Sequence, residues 1–195
     1  WFASLRESEG AADDAIRLLD KALHIDPLGR IPYINLPVNY AVKGENLETM
    51  ELLLRAMEIF PDWPSPYTAL TDHLHGLGRF DEAIPLYHQA VEQAPEDYEL
   101  WGNLGDAYRY SSNSKSLSAP MYRNAVKLVK KRLQVNAADA QALAMLGHYH
   151  AALGNTEEAL SALQRAVELS PDDIYVNYSV ATASASLGND ERAIS

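Results

Sequence analysis

The chain predicts an all-α protein of short helix pairs stacked in series, and three sets of residues repeating at one interval predict it. Pro27, Pro61 and Pro95 stand 34 residues apart, and Pro171 follows after twice that interval plus eight. Gly10, Gly44 and Gly78 keep the same step, Gly154 follows 76 residues later and Gly188 after a further 34. Ala15, Thr49, Ala83, Ala125, Ala159 and Ala193 form the third set, at intervals of 34, 34, 42, 34 and 34. A period in the range of roughly 20 to 50 residues marks an array of supersecondary units. One repeat carries eight extra residues.

Each marker has a mechanical reason to recur. Glycine just past a helix takes the left-handed backbone conformation that ends it. Proline closes the second helix, because it lacks an amide hydrogen and pushes the preceding residue out of helical geometry. Asp97, Asp139 and Asp173 then fall where the next helix starts, where a carboxylate accepts free amide hydrogens. The small residues let backbones approach closely. Between the markers, apolar residues follow helical spacing: Tyr67, Leu70 and Leu74, then Phe80, Ala83, Ile84, Tyr87, Ala90 and Val91. Leu143, Leu146 and His150, then Ala159, Leu160, Leu163, Ala166 and Val167, repeat the pattern. No segment reads as a strand.

These residues resemble the tetratricopeptide repeat (TPR) family. "WGNLGDAY" from Trp101 to Tyr108 and "LGRFDEAIPLYHQAVEQAPED" from Leu77 to Asp97 carry the likeness best. The resemblance implies a right-handed superhelical solenoid of antiparallel helix pairs, one domain over 1–195. The repeats are 1–29 (partial), 30–63, 64–97, 98–139 with the insertion, 140–173 and 174–195 (partial). The start at Trp1 and the cut repeats lead to the expectation of a fragment of a larger chain, whose uncapped ends at Trp1, Phe2 and the last helix expose apolar surface. Two departures stand out. Pro37 takes a place usually held by Gly or Ala, so its helix is expected to be kinked or shortened, and Arg132 replaces a small residue. The insertion, "SSNSKSLSAPMYRN", reads as a serine-rich turn at Ser111–Ser118, then a lengthened second helix. The enlarged repeat is similar to arrays on bacterial signalling proteins, such as kinases, cyclases and winged-helix regulators, which implies a sensory or scaffolding module.

With 47% hydrophobic and 22% charged residues the chain can bury a core. A net charge of −11 argues against nucleic acid and anionic membrane surfaces, so a charged partner is expected to be basic. There is no cysteine, which excludes disulfides and thiolate metal sites and leaves the compartment open between cytoplasm and periplasm. No apolar run approaches the roughly 20 residues that span a bilayer, so no membrane insertion of this segment is expected.

Chemistry finds little purchase. His73 with His75, and His148 with His150, are two residues apart and point about 200° from one another on a helix, so neither pair grips one metal ion. His150 reads as a packed core aromatic. "GLGRF" from Gly76 to Phe80 is a helix-ending turn, not a phosphate loop. No nucleophile elbow follows a strand. Neither an enzymatic role nor a cofactor is expected. The one basic cluster, Arg123, Lys127, Lys130, Lys131 and Arg132, reads as a solvated outer helix face.

The TPR resemblance places groove positions on the first helix of each repeat. These are Ile31, Ile34, Asn35, Val38, Ala41 and Val42 in the second repeat, and Ser65, Thr68, Asp72 and His75 in the third. The fourth supplies Glu99, Asn103, Asp106, Arg109 and Tyr110, the fifth Gln141, Ala144, Met145 and His148, and the last Tyr175, Tyr178 and Thr182. The lining grades from apolar to polar and suits a peptide or protein partner, with Asn103, Asp106 and Arg109 forming a central polar stripe. Arg109 is the only groove arginine, which argues against binding an acidic chaperone C-terminus. The expected role is an interaction scaffold. The alternatives are self-association as a homodimer and a regulatory domain of a larger signalling protein.

Overall fold

A computed structural model describes residues 2–188, with side chains from Gly10 onward. The side chains expected to be exposed at Trp1 and Phe2, and the marker Ala193, lie outside the described residues. Among these, ten α-helices and one 3-10 turn are present and no strand: α1 (Phe2–Ile25), α2 (Arg30–Val42), α3 (Asn46–Ile59), α4 (Pro64–Gly76), α5 (Phe80–Gln93), α6 (Tyr98–Tyr110), the turn Lys115–Leu117, α7 (Ser118–Val135), α8 (Ala140–Ala152), α9 (Thr156–Leu169) and α10 (Ile174–Ser186). No described helix is long and apolar enough to cross a membrane.

The turns follow from the sequence markers. Gly44, Gly78, Gly154 and Gly188 all have positive φ, from 70° to 79°. At three of these turns two bonds close the helix end: Gly78 N–H donates to His75 O and Arg79 N–H to Leu74 O, with equivalent pairs around Gly44 and Gly154. At the other end of the pair, Asp97 accepts from the amides of Glu99 and Leu100, Asp139 from Ala142, and Asp173 from Tyr175 and Val176. Three of the four proline turns are stapled by the fourth residue of the next repeat, and the Pro61 carbonyl accepts from Gln93 Nε2 instead. Tyr33 donates to Pro27 O at 3.1 Å, Trp101 to Pro95 O at 3.0 Å and Asn177 to Pro171 O at 2.9 Å.

The chain forms two compact units, Trp1–Gln93 and Ala94–Ser195. In the first, each helix from α1 to α5 packs on the next and α2 touches α4. Tyr33, Leu36, Leu53, Leu70, Leu74 and Tyr87 are buried there, with Thr49 and Ala83 at the close approaches. In the second, α6 packs on α7, α7 and α9 flank α8, and α10 lies on α8 and α9. Three glycines within the first helices there mark close approaches. A Cβ on Gly102 would meet Tyr149 at 2.3 Å, on Gly105 Tyr122 at 2.7 Å, and on Gly147 Leu163 at 2.5 Å.

Two local expectations are corrected, the second only as to helix length. Gly10 does not end a helix: α1 runs through it for 24 residues. Four residues before the other three bonded turns stand Tyr40, which is half-buried, and Leu74 and His150, which are buried, whereas Arg6 takes that place before Gly10. With no apolar group to seat a turn, and with Ala11 and Ala12 favouring helix, the chain stays helical despite a glycine cost of about 1 kcal/mol. Pro37 does not shorten α2, which has the 13 residues of every other first helix. Its ring is buried, and its carbonyl accepts a long bond from Thr49 Oγ1 at 3.4 Å.

The insertion enters the turn and the start of α7, which has 18 residues against 14 in α3, α5 and α9. Ser111 ends α6 and its Oγ accepts from the amides of Asn113 and Ser114, both at 3.2 Å. Arg132, standing where Ala56, Ala90 and Ala166 are buried, swings out to Asp139 at 2.9 Å.

Candidate partner-binding surfaces

In the first unit, α2 presents an apolar stripe. Ile31 is 71% exposed, Val38 58% and Val42 52%, with Asn35 exposed among them and Ile34 half-buried. They recur at the spacing of one helix face. On α4, Asp72 is exposed and Thr68 half-buried, and His75 is half-buried with its ring edge-on to Phe80 at 5.1 Å. The expected groove positions of this unit are therefore accessible, and their character is mostly apolar.

The second unit differs. Asn103 and Arg109 are half-buried and Tyr110 is exposed, with the Arg109 guanidinium 5.9 Å from the Tyr110 ring centre. Asp106 is not open as the polar stripe required. It is buried, accepts from Tyr122 Oη at 2.6 Å, and lies 3.2 Å from His148 Nε2 through both carboxylate oxygens. Burial pushes the Tyr122 hydroxyl well above its ordinary range, and the Asp106 charge adds to the shift. His148 Nε2 faces the carboxylate, and its buried Nδ1 has no hydrogen-bond partner. Arg109 Nη1 is likewise buried without one.

Three further contacts tie the first helices of this unit together. Gln141, exposed on α8, donates to Asp173 at 3.1 Å, Met145 Sδ lies 3.8 Å from Ser179 Oγ, and Tyr149 donates to Tyr98 O at 3.3 Å. Ala144, expected in the groove, is buried against Val176. Tyr175 is 67% exposed and Tyr178 70%. Tyr178 shares its repeat position with Gly102 and Ala144, which are covered by Tyr149 and by the Val176 cluster. Its exposure therefore belongs to the stacking flank of α10, while Tyr175 stands with Glu99 and Gln141 on the open side.

The Asp106 cluster escaped the sequence reading, yet a signal existed. Asp106 and His148 hold the same position in consecutive repeats, 42 residues apart. Stacking sets equal positions side by side, so a carboxylate and an imidazole meet. Tyr122 likewise replaces Phe80 at one register. Of the other histidines, His150 is buried as expected, with Asn155 Nδ2 at 3.1 Å from its Nδ1. Burial, and then the neighbouring Lys130, hold its pKa below the usual value. Among the described residues no group of three or more His, Cys, Asp or Glu side chains could hold a metal.

Comparison with known proteins agrees with this geometry. Tetratricopeptide repeat models match residues 64–107 and 140–173. Tetratricopeptide repeat protein 28 of Mus musculus is 27% identical over 99% of this chain, which covers 8% of that protein. Protein STIP1 homolog of Dictyostelium discoideum is 28% identical over 56% of this chain, which covers 19% of it. Two solved structures show the same fold. TTC0263, a thermophilic TPR protein of Thermus thermophilus, has a TM-score of 0.61 at 21% identity, covering 85% of this chain and 86% of its own. YrrB, a TPR protein with an unusual peptide-binding site, has a TM-score of 0.56 at 20% identity, covering 90% of this chain and 87% of its own.

Proposed function

We propose, from the tetratricopeptide repeats this chain carries, that it holds an extended peptide segment of a partner protein along the first helices of its second unit. Repeats of this kind mediate protein–protein interaction, and YrrB among the similar structures has a peptide-binding site. One observation carries the reading to this surface. On α6, α8 and α10, Asn103, Arg109, Tyr110, Gln141 and Tyr175 stand half-buried or exposed at groove positions, a set of hydrogen-bonding and aromatic side chains that the mostly apolar first unit lacks. Their amide and guanidinium groups can meet the hydrogen-bonding groups of a peptide backbone along one strip. The exposed tyrosines offer flat, rigid contact area beside it. The role is capture, not catalysis.

Peptides selected from a random phage-displayed library against the 195-residue chain, then measured by fluorescence anisotropy, test this. The joint change Asn103→Ala, Arg109→Ala and Tyr175→Ala is expected to weaken binding at least tenfold with helicity unchanged. Binding that survives this triple change, and falls instead when Ile31 and Val38 of α2 are replaced, would move the site to the first unit. Membership of a larger bacterial signalling chain is a separate proposal. It is tested by reading the encoding frame on either side for a kinase, cyclase or winged-helix segment.

A further inference from the structure

The second helices present outward stripes whose chemistry changes from repeat to repeat. On α3 the stripe is Leu47, Glu51, Leu54 and Glu58, all exposed, the leucines by 71% and 43%. At the matching register, 76 residues on, α7 carries Arg123, Lys127, Lys130 and Gln134, also all exposed. Residues spaced this way fall in a band about 60° wide on a helix, so each set is one continuous strip. The strips of α5 and α9 begin and end on acids, Asp81 and Glu92 in one and Glu157 and Glu168 in the other. Only α7 reverses the sign.

The reversal is concentrated. From Ser118 to Val135 there are five cationic residues and no acid, in a chain of net charge −11. Lys131 is paired with Glu96 and Arg132 with Asp139, whereas Arg123, Lys127 and Lys130 make no ion pair among the described residues. Glu48, Glu51 and Glu58 of α3 also make none among them. Each helix thus leaves charges of one sign to solvent, and the two strips are opposite in sign, with Glu51 and Lys127 at one register. The leucines of α3 supply what charge alone lacks, since lysine stems can lie along apolar side chains while their ammonium groups reach a carboxylate.

We propose that the outer strip of α7 seats the outer strip of α3 from a second copy of this chain. The two surfaces are different, so the contact is head-to-tail, and repeated it links copies in series. It uses no residue of the first-helix wall and stands or falls apart from the peptide-binding reading.

Sedimentation velocity of the 195-residue chain at several concentrations tests it. Association is expected at low ionic strength and should weaken by tenfold or more at high salt, as exposed charge pairs are screened. Lys127→Glu with Lys130→Glu should leave a monomer, as should Glu51→Lys with Glu58→Lys. An equal mixture of the two variants should associate in series again, because the native strips of the two chains match and so do their reversed strips, and a chain with all four reversals should associate with itself. A strict monomer of the unaltered chain overturns the proposal, as does association indifferent to the reversals or unrestored by the four together. Binding of the unaltered monomer to phosphatidylserine vesicles, lost in the α7 variant, also overturns it and makes α7 a lipid-facing strip.

Discussion

Asp72 and Asp106 occupy the same position in consecutive repeats, one in each unit, and meet opposite fates. Asp72 is exposed, whereas Asp106 is buried between Tyr122 and His148. The local difference is a single oxygen atom: Phe80 stands in the third repeat where Tyr122 stands in the fourth. A phenyl ring carries no hydroxyl to donate to a carboxylate. A tyrosine hydroxyl, with an imidazole one repeat further on, holds the Asp106 carboxylate inside. The first unit thus keeps a surface of apolar side chains and an exposed acid, while the second converts part of its wall into an internal hydrogen-bonded cluster. An identical residue at an identical register is read as surface or as structure only through its neighbours.

The largest effect that separates the units comes from the glycines beneath this cluster. Gly102→Val is expected to destabilise the second unit by about 3 kcal/mol, since overpacking of a close-packed site costs about 1–3 kcal/mol and the Tyr149 ring at 2.3 Å must leave its place. Thr68→Val at the matching position of the first unit should change stability by less than about 1 kcal/mol, because Thr68 is already β-branched and half-buried. Chemical denaturation followed by circular dichroism measures both. A tolerated Gly102→Val would mean that Tyr149 moves freely, and the cluster would then not be a rigid partition.

Asp106→Ala should cost about 2 kcal/mol, because it strands the Tyr122 hydroxyl and the His148 imidazole without their acceptor. Asp72→Ala should stay within about 0.5 kcal/mol, as surface changes do. Tyr122→Phe, which gives the fourth repeat the side chain of the third, should fall between them at about 1 kcal/mol. Equal costs at Asp72 and Asp106 would erase the contrast between the units. A partner-binding test that alters Asp106 conflates lost contact with lost packing, so Asn103, Arg109 and Tyr175 are the informative substitutions.

The helix pairs, their turns and the eight-residue insertion were legible because proline, left-handed glycine and the capping aspartates act locally, within a few residues of where they stand. Pro27, Pro61, Pro95 and Pro171 each follow a helix end by two residues, and Asp97, Asp139 and Asp173 each cap the next start. The groove was legible as a set of register positions but not as a surface. Exposure at Tyr178, burial at Ala144 and the capture of Asp106 all depend on what the adjacent repeat contributes. Periodicity says which side of its own helix a residue takes, and not how large or how polar the neighbour across from it is. Gly10 failed for the converse reason. Its spacing matched, but the turn it was to make needed an inward-packing residue four places earlier, where the chain has Arg6.

Acid probes the first unit through the half-buried His73 and the second through the buried His150. Burial lowers the pKa of His73, helped by Arg79, and that of His150, helped by Lys130. A folded-state value below the unfolded one means that the unfolded chain takes up protons first. The stability contributed is therefore full above about pH 6.5 and is lost as pH falls through and below that value. At His150 the geometry gives the mechanism, since the Asn155 amide donates to Nδ1 and protonation there would set two donors against each other. His150→Phe should flatten the acid limb of the second unit's stability profile. A profile unchanged by that substitution would assign the pH dependence elsewhere.

The sharpest test of the turn argument predicts opposite signs for one substitution at two glycines of the first unit. Gly44 has φ of 75°, a conformation costly to any residue with a Cβ, so Gly44→Ala should destabilise by about 1–2 kcal/mol. Gly10 lies inside α1, and a Cβ there would meet nothing within 4 Å. Gly10→Ala should therefore stabilise by up to about 1 kcal/mol, the difference between the two residues in a helix interior. Thermal unfolding of the two variants side by side reads the signs directly. Destabilisation by Gly10→Ala would return a left-handed turn to that position and split α1 into the helix pair that the 34-residue spacing alone implies.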